Sequence, residues 1–210
     1  MTISQTINSA LRTIPSWLIY MVGFGWMGWL FYMGATGGLG PEPIEALERR
    51  YGELALQLLI ASLAVTPLRK FAGLNLMPFR RQIGLMAFYF LLAHFLVWAV
   101  LDVQTLARVW ADILKRPYVT IGMAGFLLMI PLAFTSNNWS IRKMGGAAWR
   151  KLHKLVYPAA LLGALHYIWL VKGFEKEPLI YATVIVVLLI LRIPLVQLPT
   201  FSTLGVDRSR

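Results

Sequence analysis

The sequence predicts an all-α integral membrane protein: a bundle of six spanning helices with both termini in the cytoplasm. Three observations carry that reading. Hydrophobic residues make up 58% of the 210-residue chain and mean hydropathy is +0.65, above what a soluble domain carries. Charged residues are only 14%, and they bunch between apolar runs long enough to approach a hydrocarbon core of about 30 Å. Lys and Arg also fall unevenly on alternate loops, as membrane insertion requires.

The first span is expected at 14–33. Its apolar run is long and no A-x-A-like cleavage site follows, so it reads as a retained helix rather than a removed leader. The second and fourth, at 52–67 and 118–134, are near the short limit for a crossing helix, but charge clusters bound each of them. The third is expected at 83–101, the fifth at 152–171 and the sixth at 178–196. This divides the chain into a cytoplasmic N-terminal segment (1–13), a six-helix domain (14–197) and a cytoplasmic tail (198–210). No internal repeat is apparent. Eight Trp and eight Tyr suit interfacial belts as well as core and lipid-facing positions.

Charge sets the orientation. With the N-terminus inside, the cytoplasmic loops hold thirteen of the twenty basic residues, from Arg12 through the pairs Arg69/Lys70 and Arg80/Arg81 to Arg210. The outer loops hold the other seven, with eight of the nine acids. The net charge of +11 is therefore the signature of membrane topology rather than of a nucleic-acid surface.

Chemistry is concentrated in three histidines, His94, His153 and His166, all within or at the mouths of apolar spans. An imidazole in hydrocarbon costs free energy unless it is used, which makes each a functional candidate. His94 lies on the third span and His166 on the fifth, both beyond the midplane at similar depth. Neutral imidazoles at matched depth on facing helices can grip one haem b iron from both sides. A structural hydrogen bond or a proton relay is the plainer alternative. The absence of cysteine excludes disulfides, iron–sulfur clusters and covalently attached c-type haem, so any haem is held noncovalently.

His153 sits 13 residues before His166, about 20 Å along a helix axis. Its counterpart depth on the third span is occupied by Arg80 and Arg81 rather than histidine. Arginine stays protonated and is a poor iron ligand, though it pairs with propionates or phosphates. The inner side is thus a half-site: a second haem on His153, a flavin or quinone pocket, or an interfacial histidine. Thirteen positions of regular helix leave His153 and His166 off a common face, and Pro158 between them can rewind the helix. Gly84, Gly122, Gly125 and Gly163 permit close helix approach or a flat macrocycle.

The segments GPEPIEALERRYGELALQLLIASLAVTPLRK, RRQIGLMAFYFLLAH, KRPYVTIGM, PLAFTS, WRKLHKLVYPAALLGALHYIWLVK and PLIY, with the H-x12-H spacing, resemble the MsrQ (YedZ) family. The resemblance covers about residues 40–193. It implies the ferric reductase-like transmembrane domain shared with NADPH oxidases. Those relatives usually carry two histidines on each of two helices, whereas Arg80 stands where the fourth would be. It further implies an electron conduit in the bacterial inner membrane, taking electrons from quinol or a cytoplasmic flavin reductase. Haem b on His94 and His166 would pass them to a periplasmic molybdopterin-containing methionine sulfoxide reductase. FMN is a further cofactor that the family implies. The outer loops 34–51 and 102–117 are candidate partner surfaces, and the inner basic loops a candidate donor site. Two other readings compete: a stand-alone haem metal or quinone reductase, and a small transporter whose histidines relay protons. Glu53, at a span edge, is the only acid available to the transporter.

Overall fold

A computed structural model describes residues 3–171 and 175–192. They form helices joined by short turns, with no strand among the described residues. An amphipathic helix α1 (Ile3–Thr13) comes first. Asn8 ties it to the turn at 73–75, donating to the Gly73 carbonyl at 2.8 Å and accepting from the Asn75 amide at 2.8 Å. Helix α2 (Leu18–Ala35) buries only Leu30 and exposes Met21, Val22, Trp26, Trp29 and Phe31. So large an exposed apolar face suits lipid rather than water.

Helix α3 (Pro43–Phe71) is the longest among the described residues and begins nine residues before the expected span at 52–67. Pro43 fixes the first helical φ. Of the charges that follow, Arg49 and Arg50 pair with Glu53 one turn on instead of ending the helix. Glu53 accepts from Arg49 Nε at 2.9 Å and from Arg50 Nη1 at 3.4 Å. Much of the expected outer loop 34–51 is therefore helical. Farther on, Pro67 lies inside α3. It has no N–H to give to the carbonyl four residues back, that of Leu63. Arg192 supplies the missing donor, with Nη2 2.5 Å from the Leu63 oxygen.

A 3-10 turn (Met77–Phe79) leads into α4 (Arg80–Leu96), which continues as a π turn over Val97–Asp102. The amides of Val103 and Gln104 reach back five residues to Trp98 and Ala99 at 2.9 and 3.1 Å. The expected loop 102–117 holds a helix of its own, α5 (Leu106–Lys115), capped by the Thr105 hydroxyl, which accepts from the Arg108 amide. Leu106, Trp110 and Leu114 recur every fourth residue on its exposed face, while Val109 and Ile113 pack inward on Trp98, Val103 and Val119. Helix α6 (Pro117–Phe134) follows, then two short helices, α7 (Asn138–Met144) and α8 (Gly146–Leu152).

The fifth expected span is divided. After α8 come a 3-10 turn at His153–Leu155 and then α9 (Val156–Leu170). Pro158 cannot donate to the Lys154 carbonyl, and the chain tightens locally, as 3-10 turns do at helix ends. Helix α10 (Lys176–Ile190) matches the start of the sixth expected span; residues 193–196 and the tail 198–210 lie outside the described residues. By length and composition α2, α3, the α4 region (Met77–Asp102) and α6 can cross a membrane. At 15 residues each, α9 and α10 are about 22 Å long.

The core gathers where α3, α4, α6, α9 and α10 meet. Leu59 and Leu63 pack with Phe88, Met129, Ala160 and Ile185. The most extensive pairings are α3 along α4 and α6 along α9. Those two helix pairs build the site.

Candidate functional site

Between the two pairs lies a cavity of about 920 Å³, within the size range of small-molecule and cofactor pockets. Its walls are largely apolar, with Leu56, Leu91, Phe126 and Met129 among the lining residues. One end is polar, lined by Glu48, Arg49, Asp102, Arg116 and Glu175. His94 enters from α4 and His166 from α9. Their ring centres are 6.2 Å apart and their planes cross at 78°.

Each ring is anchored through the same atom. His94 Nδ1 lies 2.9 Å from the Glu48 carbonyl on α3. His166 Nδ1 lies 2.7 Å from the Tyr118 carbonyl on α6. A carbonyl oxygen only accepts, so in each neutral ring Nδ1 carries the proton and Nε2 the lone pair. No hydrogen bond among the described residues reaches either Nε2, and both histidines line the cavity. Two metal–imidazole bonds of about 2.0 Å, with about 1.1 Å from each nitrogen to its ring centre, span about 6.2 Å. The separation and the donor chemistry therefore fit one iron between the rings. Among the described residues no cluster of three or more His, Asp or Glu could hold a metal. The pair thus suits a metal that brings its other ligands with it, as haem iron does.

Glu53 is buried beside this site, 8% exposed. Besides Arg49 and Arg50 it accepts a hydrogen bond from the Tyr167 hydroxyl at 3.3 Å. Arg49 lies 3.7 Å from Glu175, and Tyr181 joins Gln57 at 2.8 Å to Glu177 at 3.3 Å. This network ties α3, α9 and the start of α10 around the polar end of the cavity.

The other three expected site residues do not line the cavity. His153 stacks on Trp149, with ring centres 3.9 Å apart, and its Nε2 lies 3.0 Å from the Thr135 hydroxyl. The Trp149 indole N–H donates to the Thr135 carbonyl at 2.8 Å. Thr135 and Tyr118 are at opposite ends of α6, so His153 and His166 are held at opposite ends of the bundle. Arg80 is within electrostatic reach of His153. Arg81 instead donates to Asn138 at 2.8 Å. The structure thus joins His94 with His166 and keeps His153 and Arg80 as a separate group. Sequence reasoning missed the carbonyls of Glu48 and Tyr118. Backbone acceptors leave no residue signature, and only the glycines four positions on, Gly52 and Gly122, mark them.

Residues 51–164 match the family model described as ferric reductase like transmembrane component. The chain is also 47% identical over 178 residues to the protein-methionine-sulfoxide reductase heme-binding subunit MsrQ of Brucella anthropi, covering 84% of this chain and 80% of that protein. The proteins of the same name from Brucella ovis and Brucella melitensis are similar to the same extent.

Proposed function

The chain belongs to the MsrQ family, and from that premise we propose that it is a membrane b-type cytochrome carrying electrons to a methionine sulfoxide reductase. The observation that carries this reading is the crossed His94/His166 pair, 6.2 Å apart at the wall of an apolar cavity. Haem b held there supplies a one-electron carrier. The protein's part is to fix both imidazoles in the tautomer that leaves Nε2 free. Apolar walls exclude water from the site, and Arg49 and Arg116 at its polar end offer cations to carboxylates.

In this proposal six helices cross the bacterial inner membrane with both termini inside, which puts the polar end of the cavity on the periplasmic side. Electrons enter on the inner side from quinol or a cytoplasmic flavin reductase. The group of His153, Thr135, Trp149 and Arg80 is where a donor or a second haem would meet the chain. They leave to a periplasmic molybdopterin-containing subunit that performs the sulfoxide reduction. Its docking surface is the periplasmic rim formed by α5 and the start of α3.

The test is a dithionite-reduced minus oxidised spectrum with pyridine haemochrome quantitation on the detergent-purified chain. A b-type α band that is lost in His94→Ala and in His166→Ala supports the assignment. Full haem content in both variants refutes it. A colourless wild-type chain, from cells that make haem, removes the electron-conduit reading.

A further inference from the structure

The two histidine anchors are built alike. In α3 the Glu48 carbonyl precedes Gly52 by four residues; in α6 the Tyr118 carbonyl precedes Gly122 by four. A helical carbonyl already accepts the amide four residues on, and a side chain on that residue stands over its second lone pair. At both positions the side chain is missing. A Cβ on Gly52 would fall 3.0 Å from His94 Nδ1 and 3.2 Å from its Cε1. On Gly122 it would fall 2.7 Å from His166 Nδ1 and 3.0 Å from its Cε1. The contacts are with imidazole atoms rather than a flexible chain end, so the ring itself must move. Gly25 and Gly28, by contrast, have nothing within 4 Å, and Gly84 meets only Ser62 Oγ at 3.7 Å.

We propose that Gly52 and Gly122 are paired positioning residues. By opening the Glu48 and Tyr118 carbonyls to Nδ1 of His94 and His166, they fix the tautomer and the crossed orientation of the two rings. The α3–α4 and α6–α9 pairs each contribute one carbonyl–glycine–histidine unit, a structural repeat that the sequence does not display. The inference rests on the haem reading and adds a consequence to it. Crossed imidazole planes give ferric low-spin haem a highly anisotropic electron paramagnetic resonance signal. An Nδ1–H···O=C bond also makes the ligand more electron-rich, which favours the ferric state.

The experiment compares the full chain with Gly52→Ala, Gly122→Ala and the control Gly84→Ala in detergent. Haem content, the ferric resonance spectrum and the midpoint potential are measured on each. The wild type and Gly84→Ala should show the crossed-plane signal. Both other variants should lose it and titrate at a higher potential, with haem affinity down about 10–100-fold and Gly122→Ala the more affected. A folded but haem-free variant counts as the extreme of the same loss. Wild-type spectra and potentials in both glycine variants overturn the proposal, whereas a wild type without haem overturns the reading beneath it. Should either variant fail to fold, hyperfine spectroscopy of the wild type in H2O and D2O decides. An exchangeable Nδ1 proton on both ligands is expected, and its absence from either overturns the assignment.

Discussion

Arg192 and Pro67 are expected to be energetically coupled although neither lines the cavity that holds His94 and His166. Pro67 deprives the Leu63 carbonyl of its helical donor, and Arg192 meets that oxygen at 2.5 Å. Arg192 also lies 3.3 Å from the Tyr157 hydroxyl and 5.6 Å from the centre of its ring. Replacing Arg192 with Leu strands the carbonyl. A buried unsatisfied acceptor costs about 1–3 kcal/mol, and the lost cation–π contact about 0.5–1. The sum, about 1.5–4 kcal/mol, exceeds the ~0.6 kcal/mol average for side-chain hydrogen bonds between membrane helices. The difference arises because here the unpaired partner is a backbone carbonyl whose helical donor is missing at Pro67. In a Pro67→Ala background the new amide at residue 67 can bond Leu63, so Arg192→Leu should then cost only about 1 kcal/mol. The coupling of about 1–3 kcal/mol is within the range found for residues that share a partner. Reversible unfolding in mixed detergent micelles, followed by circular dichroism on the four proteins of the cycle, measures it. Equal costs of Arg192→Leu in both backgrounds would refute the reasoning.

Two further substitutions test the edges of the fold. Glu53→Ala removes the acceptor shared by Arg49, Arg50 and Tyr167. Both arginines are at least half exposed and regain water, so the loss should stay near ~1–2 kcal/mol; the same unfolding assay reads it. Asn8→Ala cuts both bonds that hold α1 to the 73–75 turn. Hydrogen exchange should speed up in α1 and leave α3 unchanged; equal protection in wild type and variant would show that α1 is held by other contacts.

What the sequence made legible followed from rules that operate residue by residue. Apolar run length located the long helices, and the cost of an imidazole in hydrocarbon singled out His94 and His166. The structure brings those two rings to 6.2 Å with their planes crossed at 78°. Helix α3 outruns its apolar stretch for a specific reason: the rule applied to the sequence is that a charge ends a span. That holds for a lone charge, but Arg49 and Arg50 meet Glu53 within one turn, and such a group can sit at a helix mouth without breaking the helix. Helix α5 escaped for a related reason. Its inward residues Val109 and Ile113 and its outward ones Leu106, Trp110 and Leu114 make too short an apolar pattern to read as a span.

The twin anchors of the histidines were illegible for a deeper reason. Their acceptors are backbone oxygens, identical in every residue, and their enabling feature is the absence of a side chain. Glycine at 122 reads equally well as a packing residue, and glycine at 52 sits at what looked like a span boundary. Only when α3 lies against α4, and α6 against α9, does the missing Cβ face an imidazole. The two units also show why conservative changes there should not be mild. A methyl group on an exposed glycine such as Gly25 meets nothing, whereas on Gly52 or Gly122 it displaces a ring on whose orientation the proposed cofactor site depends.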